Sequence, residues 1–394
     1  MLRQGEIDMC GIAGFWAETL PKDASRLAQH MGNAIRHRGP DSGDHWLGEN
    51  AGLALVHRRL AIVDLSPSGA QPMACATGRY RLVYNGEIYN HRILRQELEA
   101  AGIIDWNGHS DTETLLALIH RYGFAGALER CVGMFALALW DRQDRKLYLA
   151  RDRMGEKPLY FGRQGGSFLF GSELKALRRH PHWQGEIDRD AITLLMRHNY
   201  IGGPYCIYRG LKKLLPGHYV VVSDNGQHVS EPVCYWSLEE SVQAGQQDPF
   251  QGSANEAIDA LEALLMDAVG LQMEADVPLG AFLSGGYDSS TVVALMQAQS
   301  RHPVRTFSIG FHEQGYNEAE HAKAVAAHLK TDHTELYVSS QDAMSVIPKL
   351  SSMYDEPFSD SSQIPTHLVS ALAREQVTVS LSGCLLYTSD AADE

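Results

Sequence analysis

Nowhere does the chain offer the roughly 18 consecutive apolar residues that a membrane-spanning helix needs, and its first eight residues lack the apolar centre of an export signal. A soluble, cytoplasmic protein with no membrane partner is therefore expected. Positive charge is also in short supply. Against 48 Asp and Glu there are 34 Lys and Arg, a net charge of -14 with no basic cluster, which argues against a nucleic-acid partner. The six cysteines, Cys10, Cys75, Cys131, Cys206, Cys234 and Cys384, include no C-x-x-C pair, so neither a disulfide framework nor a zinc site is indicated. Such spacing suits a reducing compartment, where a reactive thiol survives. A Walker loop is missing too, since no Gly-Lys-Ser occurs, and there is no G-x-G-x-x-G. What is present is length and apolar content: 394 residues at 44% hydrophobic are enough for two domains with separate cores.

The stretch Met9-Cys10-Gly11-Ile12 organises the first of them. A cysteine directly after a methionine becomes a first residue if everything before it is absent. Its thiol, with an ordinary pKa near 8.5, and its α-amine, near 8, then supply nucleophile and general base on one residue. Residues 1–8 accordingly read as a propeptide or an unused upstream start. If they stay, the nitrogen of Cys10 is an amide without useful basicity, and Cys10 reverts to a small buried hydrophobe.

Helical spacing of Leu27, Met31 and Ile35 predicts a helix over 25–35 with Ser25 as a candidate cap, ended by Arg36-His37-Arg38-Gly39-Pro40-Asp41, a loop that is either solvated or functional. Strands are expected at 53–56, running into Arg59, and at 80–84, delivering Asn85-Gly86-Glu87. Asn-Gly after a strand is ordinarily a hairpin turn. The same pair also places a side-chain amide beside a glycine N–H, the two donors of an oxyanion hole. A helix opens at His109 to Glu113 on Ser110 or Asp111 as its cap, and Asp111 can otherwise offer a carboxylate to a substrate ammonium. Short strands follow at 135–140, 146–150, 159–161, 168–170 and 219–222, with a helix at 190–197, which suits two packed sheets flanked by helices.

After a polar connection over 239–253, a helix over 255–269 carries Ile258, Leu261, Leu264, Leu265 and Ala268 on one face. Then Leu283 enters Ser284-Gly285-Gly286-Tyr287-Asp288-Ser289-Ser290 and a helix leaves, a geometry that gathers N–H groups and hydroxyls around anionic oxygen. Strand and helix alternate from there to 381, specifying a parallel sheet with helices on both faces and ligands at the strand ends. Leu283, Ile309 and Ser382-Gly383 lie at or near such ends. Between them, the acidic stretch Tyr354 to Ser362 reads as a solvated loop or as part of a site.

Met9-Cys10-Gly11-Ile12, Arg36 to Asp41, Arg59-Leu60-Ala61-Ile62-Val63-Asp64 and Asn85 to Asn90, in that order, resemble the N-terminal-nucleophile glutaminase domain of glutamine-hydrolysing asparagine synthetases. The resemblance implies a class II glutamine amidotransferase domain over 9–238 with an αββα sandwich. Cys10 would attack the glutamine carboxamide, Asn85 and Gly86 would hold the oxyanion, Arg59 would bind the α-carboxylate, and Glu87 and Asp111 the ammonium. Ser284 to Ser290 resembles the pyrophosphate loop of enzymes that split ATP into AMP and pyrophosphate. The implied second domain, over 254–383 after a linker at 239–253, is a doubly wound ATP-pyrophosphatase domain. It takes ATP at Leu283, Ser284, Gly285, Gly286, Asp288, Ser289, Ser290, Ile309, Ser382 and Gly383, with Mg²⁺ at Asp288. Tyr287 departs from the leucine or valine common in the family.

The implied reaction transfers ammonia from glutamine to aspartate through β-aspartyl-AMP, giving asparagine, glutamate, AMP and pyrophosphate. Three alternatives stay open: another carboxylate acceptor on a sugar or peptide, an enzyme reduced to glutaminase activity, and an inactive module. So does a homodimer. Past Gly383 the family register is lost, and residues 384–394 read as foreign to a domain that is incomplete.

Overall fold

The structure, a computed structural model, describes residues 9–311 and 319–383. The proposed extension over 1–8 and the tail over 384–394 lie outside the described residues. The chain forms two compact units. One runs to Leu238 and also takes in Asp355–Ser359; the other comprises Glu239–Tyr354 and resumes at Asp360.

The first unit contains, in order, β1 (Gly11–Trp16), α1 (Ala24–Ala34), β2 (Ser42–Gly48), β3 (Leu53–Arg59), β4 (Met73–Ala74), β5 (Tyr80–Ile88), α2 (His91–Ala100), α3 (Asp111–Arg130), β6 (Gly133–Asp141) and β7 (Lys146–Arg151). There follow β8 (Tyr160–Gln164), β9 (Ser167–Gly171), α4 (Leu174–Leu177), α5 (Arg189–His198), β10 (Leu211–Lys213), β11 (His218–Ser223), β12 (His228–Val229) and β13 (Val233–Cys234). Two antiparallel sheets result, ordered β10-β8-β9-β1-β3-β2 and β12-β11-β7-β6-β5-β4, with β13 added to β11.

Period-two alternation explains how they stack. In β1, Ile12 and Trp16 pack between the sheets with Val83, Trp140 and Phe168, while Ala13 and Phe15 meet Leu27, Met31 and Leu177 of α1 and α4. On the far side, Tyr84 and Leu137 meet Leu94, Leu115 and Ile119 of α2 and α3. The layers are therefore αββα, and strands buried on both faces read as the unbroken apolar runs seen in β1 and β6.

The second unit contains α6 (Leu238–Gln247), α7 (Ala254–Gln272), β14 (Leu279–Phe282), α8 (Tyr287–Gln299), β15 (Arg305–Phe311), α9 (Ala319–Leu329), β16 (Asp332–Val338), α10 (Ser340–Met353), α11 (Gln363–Arg374) and β17 (Val379–Leu381). Its sheet is parallel, ordered β16-β15-β14-β17. Ala281 and Leu283 pack on α8 and α9 through Val293 and Ala322, while Phe282 and Phe307 meet Val369 and Ala373 of α11. Helices thus cover both faces, and strand order reverses between β14 and β17, the switch point where such sheets bind ligands.

Four expectations need correction. Ser25 does not cap α1, which begins a residue earlier behind Asp23; its hydroxyl pairs with His45 instead. Asn85-Gly86 is no turn, because β5 continues through it in register with β6 to Ile88. Most of the connection over 239–253 is helix α6, with no buried residue. In α7 the contact face is Leu265, Met266 and Val269, whereas Ile258, Leu261 and Leu264 are 62%, 56% and 70% exposed. The apolar stripe is wider than the part the sheet touches, so spacing alone could not place the contact. Among the described residues, no helix is long and apolar enough to cross a membrane.

Two buried imidazoles make the first unit sensitive to acid. His57 of β3 donates from Nε2 to the Tyr84 carbonyl at 3.1 Å, bridging the two sheets, and burial pushes its pKa from 6.5 down to about 3. His180, 4.9 Å from the ring of Phe15, is pushed down to about 4 by burial and then by the neighbouring charge of His182. Below pH 6.5 the unfolded chain takes protons that the folded one refuses. The stability these rings contribute is therefore whole above 6.5 and declines as pH falls towards their folded values, by roughly 1.4 kcal/mol per pH unit for each ring. Urea midpoints followed by the fluorescence of Trp16 and Trp140 should fall between pH 7 and 5, and His57→Gln should flatten the fall. Equal midpoints would mean that the rings are not held neutral.

Candidate active site

Cys10 precedes β1, which lies between β3 and β9 in the middle of its sheet. Its Sγ is 3.4 Å from both the carbonyl oxygen and the amide nitrogen of Leu60. Its own carbonyl accepts from Arg38 Nε at 3.0 Å. Arg38 is buried, so the loop after α1 is not simply solvated. It donates from Nη1 to Glu173 at 2.8 Å, and among the described residues its Nη2 has no hydrogen-bond partner. Burial raises the Cys10 thiol to about 11, opposed by the Leu60 contact and by Arg59 and Arg38, and reinforced by Asp111. The thiol is therefore neutral near pH 7 and needs a base before it can attack.

Strand periodicity fixes the opposite wall. Val83 lies in the layer between the sheets, so Asn85 and Glu87 share its face, while Tyr84 and Ile88 face the helices. Among the described residues, Nδ2 of Asn85 is buried without a hydrogen-bond partner, a costly state for an amide with no ligand to receive it. Gly86 is obligatory because an added Cβ would lie 2.1 Å from the Met134 carbonyl oxygen on β6.

Asp111 does not cap α3. Ser110 does, accepting from Glu113 N at 3.3 Å. The Asp111 Oδ2 instead accepts from Tyr84 OH at 2.8 Å and Ile88 N at 3.0 Å, tying the helix to the strand that carries Asn85 and Glu87. Arg59, at the end of β3, donates to the carbonyls of Asp64 and Ser66, which uses two of its five N–H groups. The structure thus gathers Cys10, Arg38, Arg59 and Asp111 within electrostatic reach of one thiol, with Asn85 and Glu87 on the facing sheet.

Lys157 was not legible in the sequence. It sits in Arg151-Asp152-Arg153-Met154-Gly155-Glu156-Lys157, a charged run between two of the expected short strands. Asp152 instead folds the turn inward, accepting from Phe135, Met154, Glu156 and Lys157 backbone amides at 2.9 to 3.1 Å. Lys157 Nζ comes to lie 3.0 Å from the Met9 sulfur, and burial pushes its pKa down against the opposing charge of Glu87. Glu173 and His57 escaped for the same reason: only tertiary packing buries them.

In the second unit, Leu283 to Gly286 joins β14 to α8. Gly285 takes φ +80°, and an added Cβ would meet Ala322 N at 2.6 Å, so α9 closes the back of the turn. Ser289 Oγ accepts from Ser284 N at 3.2 Å and pairs with Ser284 Oγ at 2.9 Å, fixing the loop. Ser290 Oγ is buried without a partner among the described residues. A Cβ at Gly383, after β17, would lie 2.9 Å from Ser289 N, so the two loops at the switch point meet. Asp288 lies in the first turn of α8, and Tyr287 is 94% exposed. Ile309 lies inside β15 instead of at its end. Among the described residues, no group of three or more His, Cys, Asp and Glu is placed to enclose a metal ion.

Residues 9–236 match the family described as glutamine amidotransferase domain, and residues 260–385 the family described as asparagine synthase. The chain is 35% identical over 381 residues to asparagine synthetase (glutamine-hydrolyzing) 1 of Bacillus subtilis, covering 95% of this chain and 57% of that protein. It is 36% identical over 397 residues to a Methanocaldococcus jannaschii protein provisionally named asparagine synthetase (glutamine-hydrolyzing) 2, covering 95% of this chain and 74% of that protein. With amidase chry2 of Gibberella zeae it shares 32% identity over 304 residues, which is 73% of this chain and 43% of the other. The chain therefore spans little more than half the length of the Bacillus relative.

Proposed function

Because the chain belongs to the family of glutamine-hydrolysing asparagine synthetases, we propose that the whole protein hydrolyses glutamine at Cys10 and uses the ammonia to amidate aspartate at the expense of ATP. The observation that carries the reading is the buried, unpartnered amide of Asn85 on the wall facing a thiol already under the influence of Arg59 and Asp111.

With Met9 gone, the Cys10 amine takes the thiol proton and the sulfur attacks the carboxamide carbon of glutamine. Oxyanion charge falls on Asn85 Nδ2 and Gly86 N–H. The amine returns the proton to the departing ammonia, and water then hydrolyses the thioester to glutamate. Arg59 meets the α-carboxylate with N–H groups not given to Asp64 and Ser66, while Glu87 and Asp111 meet the α-ammonium.

In the second unit, Leu283 to Gly286, Ser289, Ser290, Ser382 and Gly383 receive ATP at the switch point, with Ile309 towards the base. A carboxylate is a poor electrophile. Transfer of AMP to the aspartate side chain releases pyrophosphate and makes a leaving group that ammonia displaces, giving asparagine and AMP. A single carboxylate, Asp288, fits a Mg²⁺ ion held mainly by phosphates and water, which would neutralise the phosphate charge.

Full-length protein beginning at Cys10 should convert glutamine, aspartate and ATP with Mg²⁺ into equimolar glutamate, asparagine, AMP and pyrophosphate. Release of ADP and phosphate, or no asparagine, would overturn the proposal. A second reading, an acceptor other than aspartate, is favoured by the similarity to a protein named as an amidase. Glutamine-dependent AMP release with another carboxylate but not with aspartate would establish it.

A further inference from the structure

Asp355–Ser359 lies between α10 and α11 in sequence yet packs as part of the first unit. Its two carboxylates are buried there, each with its own anchor. Glu356 accepts from Ile207 N at 2.6 Å and Tyr160 OH at 3.2 Å, and lies 2.7 Å from Lys213 Nζ. Ser359 N adds a bond to the Asn199 carbonyl at 2.8 Å. Asp355 accepts from Leu174 N at 2.5 Å and Lys175 N at 3.3 Å, so the first turn of α4 is capped by a residue 181 positions away, not by its own N-cap Glu173.

From Asp355 a line of buried charges leads to the nucleophile. Lys175 Nζ lies 3.8 Å from Asp355 and 2.8 Å from Glu173. Glu173 accepts from His37 at 3.1 Å and from Arg38 at 2.8 Å, and Arg38 holds the Cys10 carbonyl at 3.0 Å. Burial acts to raise both carboxyls but the outcomes differ. Bonds and charges from His37, Arg38 and Lys175 keep Glu173 well below the usual carboxylate range, whereas Asp355, facing Glu173, is pushed up to about 6. Charges this close and this dry are strongly coupled.

We propose that Asp355 is a positioning residue for glutamine hydrolysis: through Lys175, Glu173 and Arg38 it sets the main chain of Cys10, on which both nucleophile and base depend. The inference rests on the glutaminase reading above. None of these groups touches glutamine in that reading, so the effect falls on attack and not on binding.

The test is glutamine hydrolysis without ATP by full-length protein beginning at Cys10. Asp355→Asn keeps an oxygen for the shorter bond, from Leu174 N, and gives up the charge together with the long 3.3 Å bond from Lys175 N. It should lower kcat about tenfold with KM changed less than twofold, since a misplacement of about 1 Å can cost about 10²-fold and a smaller one correspondingly less. Lys175→Met should do the same, and the double variant should lose no more than either alone, because both break one line. The rate at which an electrophilic glutamine analogue alkylates Cys10 should fall in parallel, while the melting temperature of Asp355→Asn stays near that of the parent. An Asp355→Asn protein within twofold of the parent in kcat overturns the proposal. So do additive losses in the double variant, or losses that track melting temperature. A parent that hydrolyses no glutamine at all instead overturns the glutaminase reading itself.

Discussion

Cys10→Ala, in full-length protein beginning at residue 10, is expected to lower glutamine-driven product formation on the order of 10⁴-fold or more, the scale of losing a catalytic nucleophile. Ammonium-driven turnover should stay within about twofold, because that route takes nitrogen after the thiol has acted. Alanine is the right replacement, since a serine hydroxyl with the same α-amine could still attack. Retention of Met9 should mimic the substitution with the sulfur intact. In the structure, Cys10 follows Met9 through a peptide bond and its thiol is raised to about 11, so its own nitrogen is an amide that cannot take the proton. Intact mass with steady-state rates on both nitrogen sources decides the matter. Equal glutamine-driven rates for the alanine variant would remove the nucleophile from Cys10.

Asn85→Ala carries the next largest effect. Removing one oxyanion donor costs about 10²–10³ in kcat in enzymes that form a tetrahedral oxyanion, with little change in KM because the ground-state carbonyl leans on the donor less. Here the donor is already stripped of water and of any partner among the described residues, so no competing bond is lost with it. The variant should fold like the parent. Losing a buried Nδ2 that has no partner among the described residues removes a desolvation penalty, which leaves stability unchanged or slightly improved. A large kcat deficit with an undiminished melting temperature separates a catalytic amide from a structural one. A kcat within threefold of the parent would place the oxyanion elsewhere.

Sequence pattern carried the parts of this molecule that depend on local rules. Unbroken apolar strands such as β1, the helix behind Ser110 and the alternation of strand and helix after Val277 each follow from periodicity and turn chemistry. Cys10 alone reads as a small buried hydrophobe, and only the four motifs in order single it out as a candidate nucleophile. What failed to show were groups whose burial is decided by distant chain. The burial of Lys157 depends on Asp152, which takes its amide, and that of Glu173 on His37, Arg38 and Lys175, which gather on its carboxylate. Asn85-Gly86 has the composition of a hairpin, and only pairing with β6 over the full length of β5 keeps it extended. In α7 the apolar stripe marks the helix but not where it is covered, since amphipathic spacing gives a face and not the extent of its partner.

The late arrival of Asp355–Ser359 also bears on how the protein is made. By the time Leu238 has left the ribosome, every strand of the two facing sheets is available, but Asp355 and Glu356, the acids that meet Lys175 and Lys213, are encoded more than roughly 100 residues further downstream. At about 5–20 residues per second this is an interval on the order of 10 s. During it the nascent domain holds Lys213 without its carboxylate partner and an α4 turn without its cap, while Lys175 has Glu173 alone, and a ribosome pausing between α6 and α10 would prolong that exposure to proteases and chaperones.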